Sequence, residues 1–395
     1  MLLGVRIQNF GLFRDDCIGA LLDDIRKTPD GSSLALEAGL DVAHPLNGME
    51  ALVGRNHSGK TMFFSFLSFV RESVMNGPSG AAVSGGRTGF SNLMLDEDKP
   101  IEATLLFSFI KEGKKTYCEY RLIIAANRHG KPHFDTEILR IWNKDMDDVE
   151  EVLSFHQGDG FIVRNGFKTE MEMDDSQTSA LRAFGAVKDY YFVNRTYHEI
   201  IRWLFVDFPR NFAQQDPEEV APGGHKHLNI NGSNAGNVLQ YLKVEQPGRY
   251  KELIAKMIEV VPNLKNKDEE AVLKFFRKPD ALALYMLLLF DPSPRPLIFL
   301  EAPDEGLYHD MVDTLAREMR NYTVLNPGCQ IMFTTHNPYI IENLSPDEIW
   351  VFCRGDNAGE EKVDIKCAGS IPIVREMYNQ GVGMGAIWYA GHFED

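Results

Sequence analysis

The segment Gly54-Arg55-Asn56-His57-Ser58-Gly59-Lys60-Thr61 has the residue types and spacing of a loop that wraps phosphates. Gly54, Ser58 and Gly59 let the backbone turn tightly enough for its N–H groups to converge on an anion. A helix starting behind the loop would add the positive end of its dipole. Lys60 is placed to reach the β- and γ-phosphates of a nucleotide, and the Thr61 hydroxyl to ligate Mg²⁺. Chemistry on such a ligand also needs a carboxylate at the tip of a neighbouring buried strand for the metal, and a second one to orient the attacking water. The apolar run Leu297-Ile298-Phe299-Leu300 delivers Glu301 to the first role, followed by Ala302-Pro303-Asp304-Glu305-Gly306-Leu307. A further run ends in Thr334-Thr335-His336-Asn337-Pro338, where an imidazole can contact a γ-phosphate and the attacking water. Each of these alone reads as an ordinary strand end. Their order along the chain favours one nucleotide site.

The elements that must position these groups are legible on either side of them. Val5–Phe10 alternates apolar and polar residues as a half-buried strand does, and Gly11–Asp15 turns out of it. Met49–Val53 runs as a strand directly into the glycine-rich loop, and Met62–Val70 behind it is apolar enough for a buried helix. Gly77–Gly89 reads as a mobile Gly/Ser loop, and Ile101–Ile141 as a strand-rich antiparallel lobe. Phe208–Asn234 is irregular, while Asn237–Val244 and Tyr250–Val261 have helical spacing. The apolar helix Ala281–Phe290 precedes the strand Leu297–Leu300. Helix Asp310–Tyr322 and strand Gln330–Thr335 then complete a βαβ unit.

Composition narrows the function classes. The 395 residues carry a net charge of -16, the opposite of the basic balance usual in a protein whose main task is gripping duplex DNA. Solubility is the plain reading of this acidity, with a basic protein partner as its rival. No stretch is long and apolar enough for a bilayer, since Ala281–Phe290 has about half the needed length. The N-terminus lacks signal-peptide features. Five scattered cysteines without a CxxC pair point to a reducing cytoplasm rather than a zinc or disulfide framework. His225-Lys226-His227 invites a metal or HNH-nuclease reading, but its glycine-rich setting shows no nearby acid.

The opening Val5–Phe13, the GxNxSGKT loop, the strand into Glu301-Ala302-Pro303-Asp304-Glu305-Gly306-Leu307, and Gln330–Pro338 together resemble the SMC/RecF-like branch of ABC ATPases. Within it, the chain is most similar to the OLD-like and RloA-like AAA-family ATPases of phage-defence and abortive-infection operons. Gly383–Gly391 and Gly232–Leu239 add to that likeness. The resemblance implies an α/β ABC-type ATPase head with a mixed central sheet, an antiparallel β lobe and an inserted helical lobe. Its expected divisions are 1–200 for the N-terminal half of the head, 201–275 for the helical or irregular insert, and 276–395 for the C-terminal half. It implies ATP and Mg²⁺ as ligands and an ATP-sandwich dimer or higher oligomer. A separately encoded nuclease or toxin would be the effector and a phage-derived molecule the trigger, since only about sixty residues follow His336, too few for the toprim nuclease of OLD proteins. The rival reading is a RecF/SMC-like DNA-maintenance clamp, with DNA as an unfavoured partner. A nucleotide-binding scaffold without turnover is a third.

Two departures from the family pattern matter. The general-base Glu expected directly after the metal-site acid is Ala302, so the chain should bind ATP and hydrolyse it poorly. An engineered Glu→Ala change explains this, as does a natural loss, the former being favoured. Asp304 and Glu305 lie beyond a proline and are not expected to substitute. The Ser-Asp-Gly-like signature turn, which faces ATP on the opposite subunit, is replaced by Phe276-Arg277-Lys278-Pro279-Asp280-Ala281. Proline suits a first helical turn, and Arg277 or Lys278 either makes the contact of the missing hydroxyl or is simply a solvated cation.

Overall fold

The computed structural model describes residues 1–27, 44–206, 208, 218–261, 264–276, 281–357 and 360–393. β1 (Leu2–Phe10) and β2 (Phe13–Gly19) form a hairpin in which Phe10 pairs with Phe13, so the turn is Gly11-Leu12 and not the longer Gly11–Asp15 expected. Gly11 supplies the left-handed φ of 58° that so short a turn needs. β3 (Met49–Val53) enters a different sheet. The antiparallel lobe continues with β4 (Ile101–Lys111), β5 (Lys114–Ala126), β6 (Pro132–Trp142), β7 (Glu150–His156), β8 (Asp159–Arg164) and β9 (Phe167–Glu172). It reaches further than Ile101–Ile141 and takes in the N-terminal hairpin, giving the order β2-β1-β4-β5-β6-β7-β8-β9. Ile101, Ala103, Leu105, Phe107 and Phe109 bury one face of β4, as period-two alternation requires.

The second sheet joins β10 (Leu204–Val206), β11 (Leu297–Leu300), β12 (Gln330–Thr334), β13 (Ile349–Asn357) and β14 (Glu360–Cys367) to β3, in the order β10-β11-β12-β3-β13-β14. All its pairings are parallel except the terminal β13–β14 hairpin. The expected α/β class, with a mixed central sheet beside an antiparallel lobe, is the one observed. Alternate residues of the central strands feed two separate cores. Leu297, Phe299, Met332, Leu52 and Phe352 face the helix Lys60–Asn76 and the antiparallel sheet beyond it. Ile298, Leu300, Ile331, Phe333, Ala51 and Val53 face the helices Ala281–Leu289 and His309–Leu325. A parallel strand covered on both faces must be apolar throughout, which is why these runs show no alternation in sequence.

The helix Lys60–Asn76 therefore lies between the two sheets. Phe63, Phe66, Leu67, Val70 and Val74 are buried at helical spacing. Phe66 packs edge-on to Phe10 of the antiparallel sheet at 5.2 Å, and Phe64 to Phe299 of the mixed sheet at the same centroid distance. Gln330 fastens the sheets together as well, its amide bonding both backbone groups of Leu2 (2.7 and 2.9 Å) and the Asn47 carbonyl (2.7 Å).

The mobile loop expected at Gly77–Gly89 is a correction. Pro78–Ala81 is a short helix, Ala81 and Ala82 are buried, and the Arg87 guanidinium is buried against the Ala81 carbonyl and the Ser84 hydroxyl. One long cation supplies the donors that a Gly/Ser-rich stretch lacks. Glu137 does the same with an acid in the β lobe. Its carboxylate accepts from the Tyr120 and Ser179 hydroxyls and from the amides of Ala180 and Leu181 at the start of the helix Ala180–Gly185. Burial nevertheless holds its pKa above the usual carboxylate range, and the four donors only temper that rise. Glu137→Ala leaves those donors unpaired in the core. It should cost roughly 2–4 kcal/mol in urea unfolding monitored by circular dichroism.

Candidate functional site

Register places the chemistry. Leu300 of β11 pairs with Phe333 of β12, and Phe333 with Ala51 of β3. Their carboxyl-terminal ends lie at one level, so Glu301, Thr335-His336 and the Gly54 loop emerge together. Ligand sites in open parallel sheets form at this edge. The loop then enters the helix Lys60–Asn76 through two glycines that no other residue could replace without strain. Gly54 has φ 137°, and a Cβ there would lie 2.2 Å from the Phe352 carbonyl oxygen of β13. Gly59, at φ 109°, is the residue before the helix.

The groups singled out in the sequence converge on one cavity of about 830 Å³, lined by Asn56 through Thr61, Glu301, Ala302, Asp304, Glu305, Thr334 and His336. Lys60 is buried, with Nζ donating to the carbonyls of Gly54 (2.7 Å) and Arg55 (2.8 Å). Burial lowers its pKa to about 8, partly offset by the Glu301 carboxylate. The Thr61 hydroxyl donates to Glu301, so the two oxygen ligands a hard divalent cation would use already meet. His336 is lowered below its usual value by burial first and by the Lys60 charge second, with Asp304 opposing. The donor set, the glycine cradle and the inward lysine all fit a magnesium-bound phosphate chain.

Ala302 sits where the base was expected, and its methyl group lines the cavity wall. Its backbone is left-handed at φ 43°, held by a bond from its amide to the Thr334 hydroxyl (2.9 Å). The candidates Arg277, Lys278, Pro279 and Asp280 lie outside the described residues.

Several features were not legible as motifs. Phe10, Leu12, Met62 and Leu93 give the cavity an apolar end, with the Leu12 amide donating to Met62 Sδ at 3.0 Å. Asp304 and Glu305, set aside because of Pro303, are returned to the cavity by two successive turns, from the Glu305 amide to the Ala302 carbonyl (3.0 Å) and from Leu307 to Asp304 (3.2 Å). A second cavity of about 700 Å³ shares Thr61, Glu301, Ala302 and Glu305 with the first and is walled by Phe205, Tyr285 and Phe299. His227, thought to lack a nearby acid, has both carboxylate oxygens of Asp291 at 3.0 Å from Nδ1, an approach made across 64 residues of sequence. One His and one Asp in a glycine-rich turn do not make a nuclease centre. His44, Asp347 and Cys367 also bring three donor atoms within 4.8 Å of one another, but Asp347 is already ion-paired to Arg375 at 2.8 Å.

Comparison with known proteins adds a partial match. Residues 280–342, from the helix Ala281–Leu289 through β12, match the family described as "AAA domain, putative AbiEii toxin, Type IV TA system". No curated protein sequence matches the chain. Among solved structures, an SMC head bound to the C-terminal winged-helix domain of ScpA is similar at 11% identity and a TM-score of 0.46, covering 93% of this chain and 98% of that one. The SMC head domain from Thermotoga maritima follows at 13% identity and 0.38, covering 92% and 98%. A dimeric ATP-binding cassette in a post-hydrolysis state with ADP and phosphate follows at 11% and 0.30, covering 88% and 93%. Likeness this distant assigns no chemistry, which rests on the geometry of the cavity. Among the described residues, no helix is long and apolar enough to cross a membrane.

The left-handed Ala302 makes a stability prediction. The Cβ penalty there is about 1–2 kcal/mol, while a glycine adds about 0.4–1 kcal/mol of unfolded-state entropy. Ala302→Gly should therefore stabilise the chain by roughly 0.5–1 kcal/mol in urea unfolding, whereas a surface alanine changed to glycine should not.

Proposed function

We propose that this chain binds Mg-ATP in the cavity between the glycine-rich loop and the ends of β11 and β12, and that it works as a nucleotide-controlled switch in defence against phage. The observation that carries the first half is the convergence of Lys60, Thr61, Glu301 and His336 on one cavity at one level of a parallel sheet. The glycine cradle presents donors to the phosphates, Lys60 supplies the charge, and Thr61 with Glu301 holds the metal, which neutralises phosphate charge when bound. His336, whose proton affinity is lowered by burial and by the Lys60 charge, can donate a ring N–H to a phosphate oxygen.

The defence half rests on the match of residues 280–342 to a family whose description names a toxin–antitoxin system, and on the motif resemblance. In this reading two copies close head-to-tail around ATP in the cytoplasm. Loss of ATP or arrival of a phage-derived trigger shifts the assembly and frees a separately encoded nuclease or toxin. Plaque formation on cells carrying the chain with its neighbouring genes tests this half. Protection that Lys60→Ala abolishes supports it, whereas ATP-dependent, salt-sensitive DNA binding by the purified protein would favour a DNA clamp.

Two measurements test nucleotide binding. Lys60→Ala should weaken the affinity for a fluorescent ATP analogue by at least about tenfold, and light scattering should show a mass increase with Mg-ATP that this variant lacks. The affinity should also depend on pH. Free Lys60 loses its proton as pH rises through about 8, whereas bound phosphates hold that proton. Binding then takes up a proton, and affinity should fall by up to about tenfold per pH unit above pH 8. Lys60→Arg, whose charge persists, should flatten that slope.

A further inference from the structure

We propose that Asp304 is the group that takes the proton from the attacking water, in the place that Ala302 cannot fill. This rests on the reading that the cavity holds Mg-ATP. Three carboxylates line the cavity among the described residues, Glu301, Asp304 and Glu305. Glu301 is committed to the Thr61 hydroxyl and the metal position. Glu305 is exposed at the rim.

Asp304 is aimed and fixed. The chain reverses at the left-handed Ala302, whose carbonyl accepts the Glu305 amide, and this brings residue 304 back across the end of β11 towards β12. Thr335 and Asn337, on either side of His336, face its carboxyl and favour its charged form. Its Oδ1 is nevertheless shielded from solvent without a hydrogen-bond partner. A buried carboxylate oxygen left unpaired costs about 1–3 kcal/mol unless something else uses it. A water or a proton is the smallest occupant that would. Burial also raises the affinity of Asp304 for a proton, with Thr335 and His336 only tempering the rise, so it is a better acceptor than a solvated carboxylate.

In the step itself, the water oxygen bonds to the γ-phosphorus as the bond to the bridging oxygen breaks. Asp304 receives one water proton, and ADP and phosphate leave with no other reactant. His336 keeps its proton throughout and serves the phosphate oxygens.

Wild type, Asp304→Asn, Glu305→Gln and Ala302→Glu should be compared at saturating Mg-ATP. The readouts are phosphate release, affinity for a fluorescent ATP analogue, and the identity of the nucleotide that stays bound through gel filtration. Asp304→Asn keeps the side-chain shape and should leave affinity within about threefold while lowering phosphate release by roughly a hundredfold. It should emerge carrying ATP where the wild type carries ADP. Adding Ala302→Glu to Asp304→Asn should restore turnover. Wild-type turnover by Asp304→Asn, or its loss in Glu305→Gln instead, overturns the assignment. So does a wild type that binds ATP and never forms ADP. Failure of the wild type to bind ATP at all is a different result, and it removes the underlying reading and not only this step.

Discussion

The in-register parallel pairing of β11, β12 and β3 is the constraint on which the rest of the molecule depends. Because Leu300, Phe333 and Ala51 lie side by side, three separate stretches of the chain, one of them far from the other two in sequence, release their functional groups at one edge. A slip of one residue in either pairing would exchange the two cores, sending Phe299 or Met332 to the face now filled by Leu300 and Phe333. It would also carry Glu301 away from Thr61. The packing that fixes the register and the geometry of the site are therefore the same set of contacts. Gly54 completes this, since only a residue without a Cβ can pass the Phe352 carbonyl as the chain leaves β3.

Electrostatics at that edge are arranged for a ligand of the opposite sign. A buried lysine whose Nζ donates to two carbonyl oxygens and a hydroxyl is a poorly compensated charge, and its lowered pKa records the cost. An anion in the loop would replace dipoles with full charges at the same nitrogen. The second cavity brings the helical part of the chain to the same place, because Tyr285 of the helix Ala281–Leu289 walls a space that shares Thr61, Glu301 and Ala302 with the first. The helix and the proposed metal position therefore face one another across a single space.

What could be read from the sequence was whatever a short local pattern specifies. The glycine spacing, the apolar strands bounded by turns, the βαβ unit and the apolar helix each reside within about a dozen residues, and they reappear within a few residues of the expected bounds. What escaped depends on which side chains meet in the fold. Glu137 gathers donors from Tyr120 and Ser179 and His227 finds its acid at Asp291, both across long stretches of sequence, while Arg87 makes a packed turn out of a Gly/Ser stretch by bonds to its near neighbours. Composition says nothing of such partners, because one buried side chain can outweigh the flexibility of ten small ones. Asp304 was discounted for a related reason. Pro303 breaks a strand in any sequence pattern, but whether the chain then leaves or doubles back is set by a left-handed residue that alanine rarely adopts.

That left-handed residue bears on what the site is for. A chain with no use for a proton acceptor could have relaxed this turn. A glycine at 302 would remove the Cβ strain, and a neutral side chain at 304 would remove the buried unpaired oxygen. The structure keeps both costs, one at the position where the sequence resemblance leads us to expect a base and the other where a carboxylate faces the same cavity. A left-handed alanine and a shielded carboxylate oxygen on the wall of one ligand cavity are what is expected when geometry at that wall is held for chemistry. Ala302 by itself argues for a site that binds and waits. Taken with the turn it makes and the carboxylate that turn returns to the cavity, it argues for a site in which the base has moved two residues along the chain.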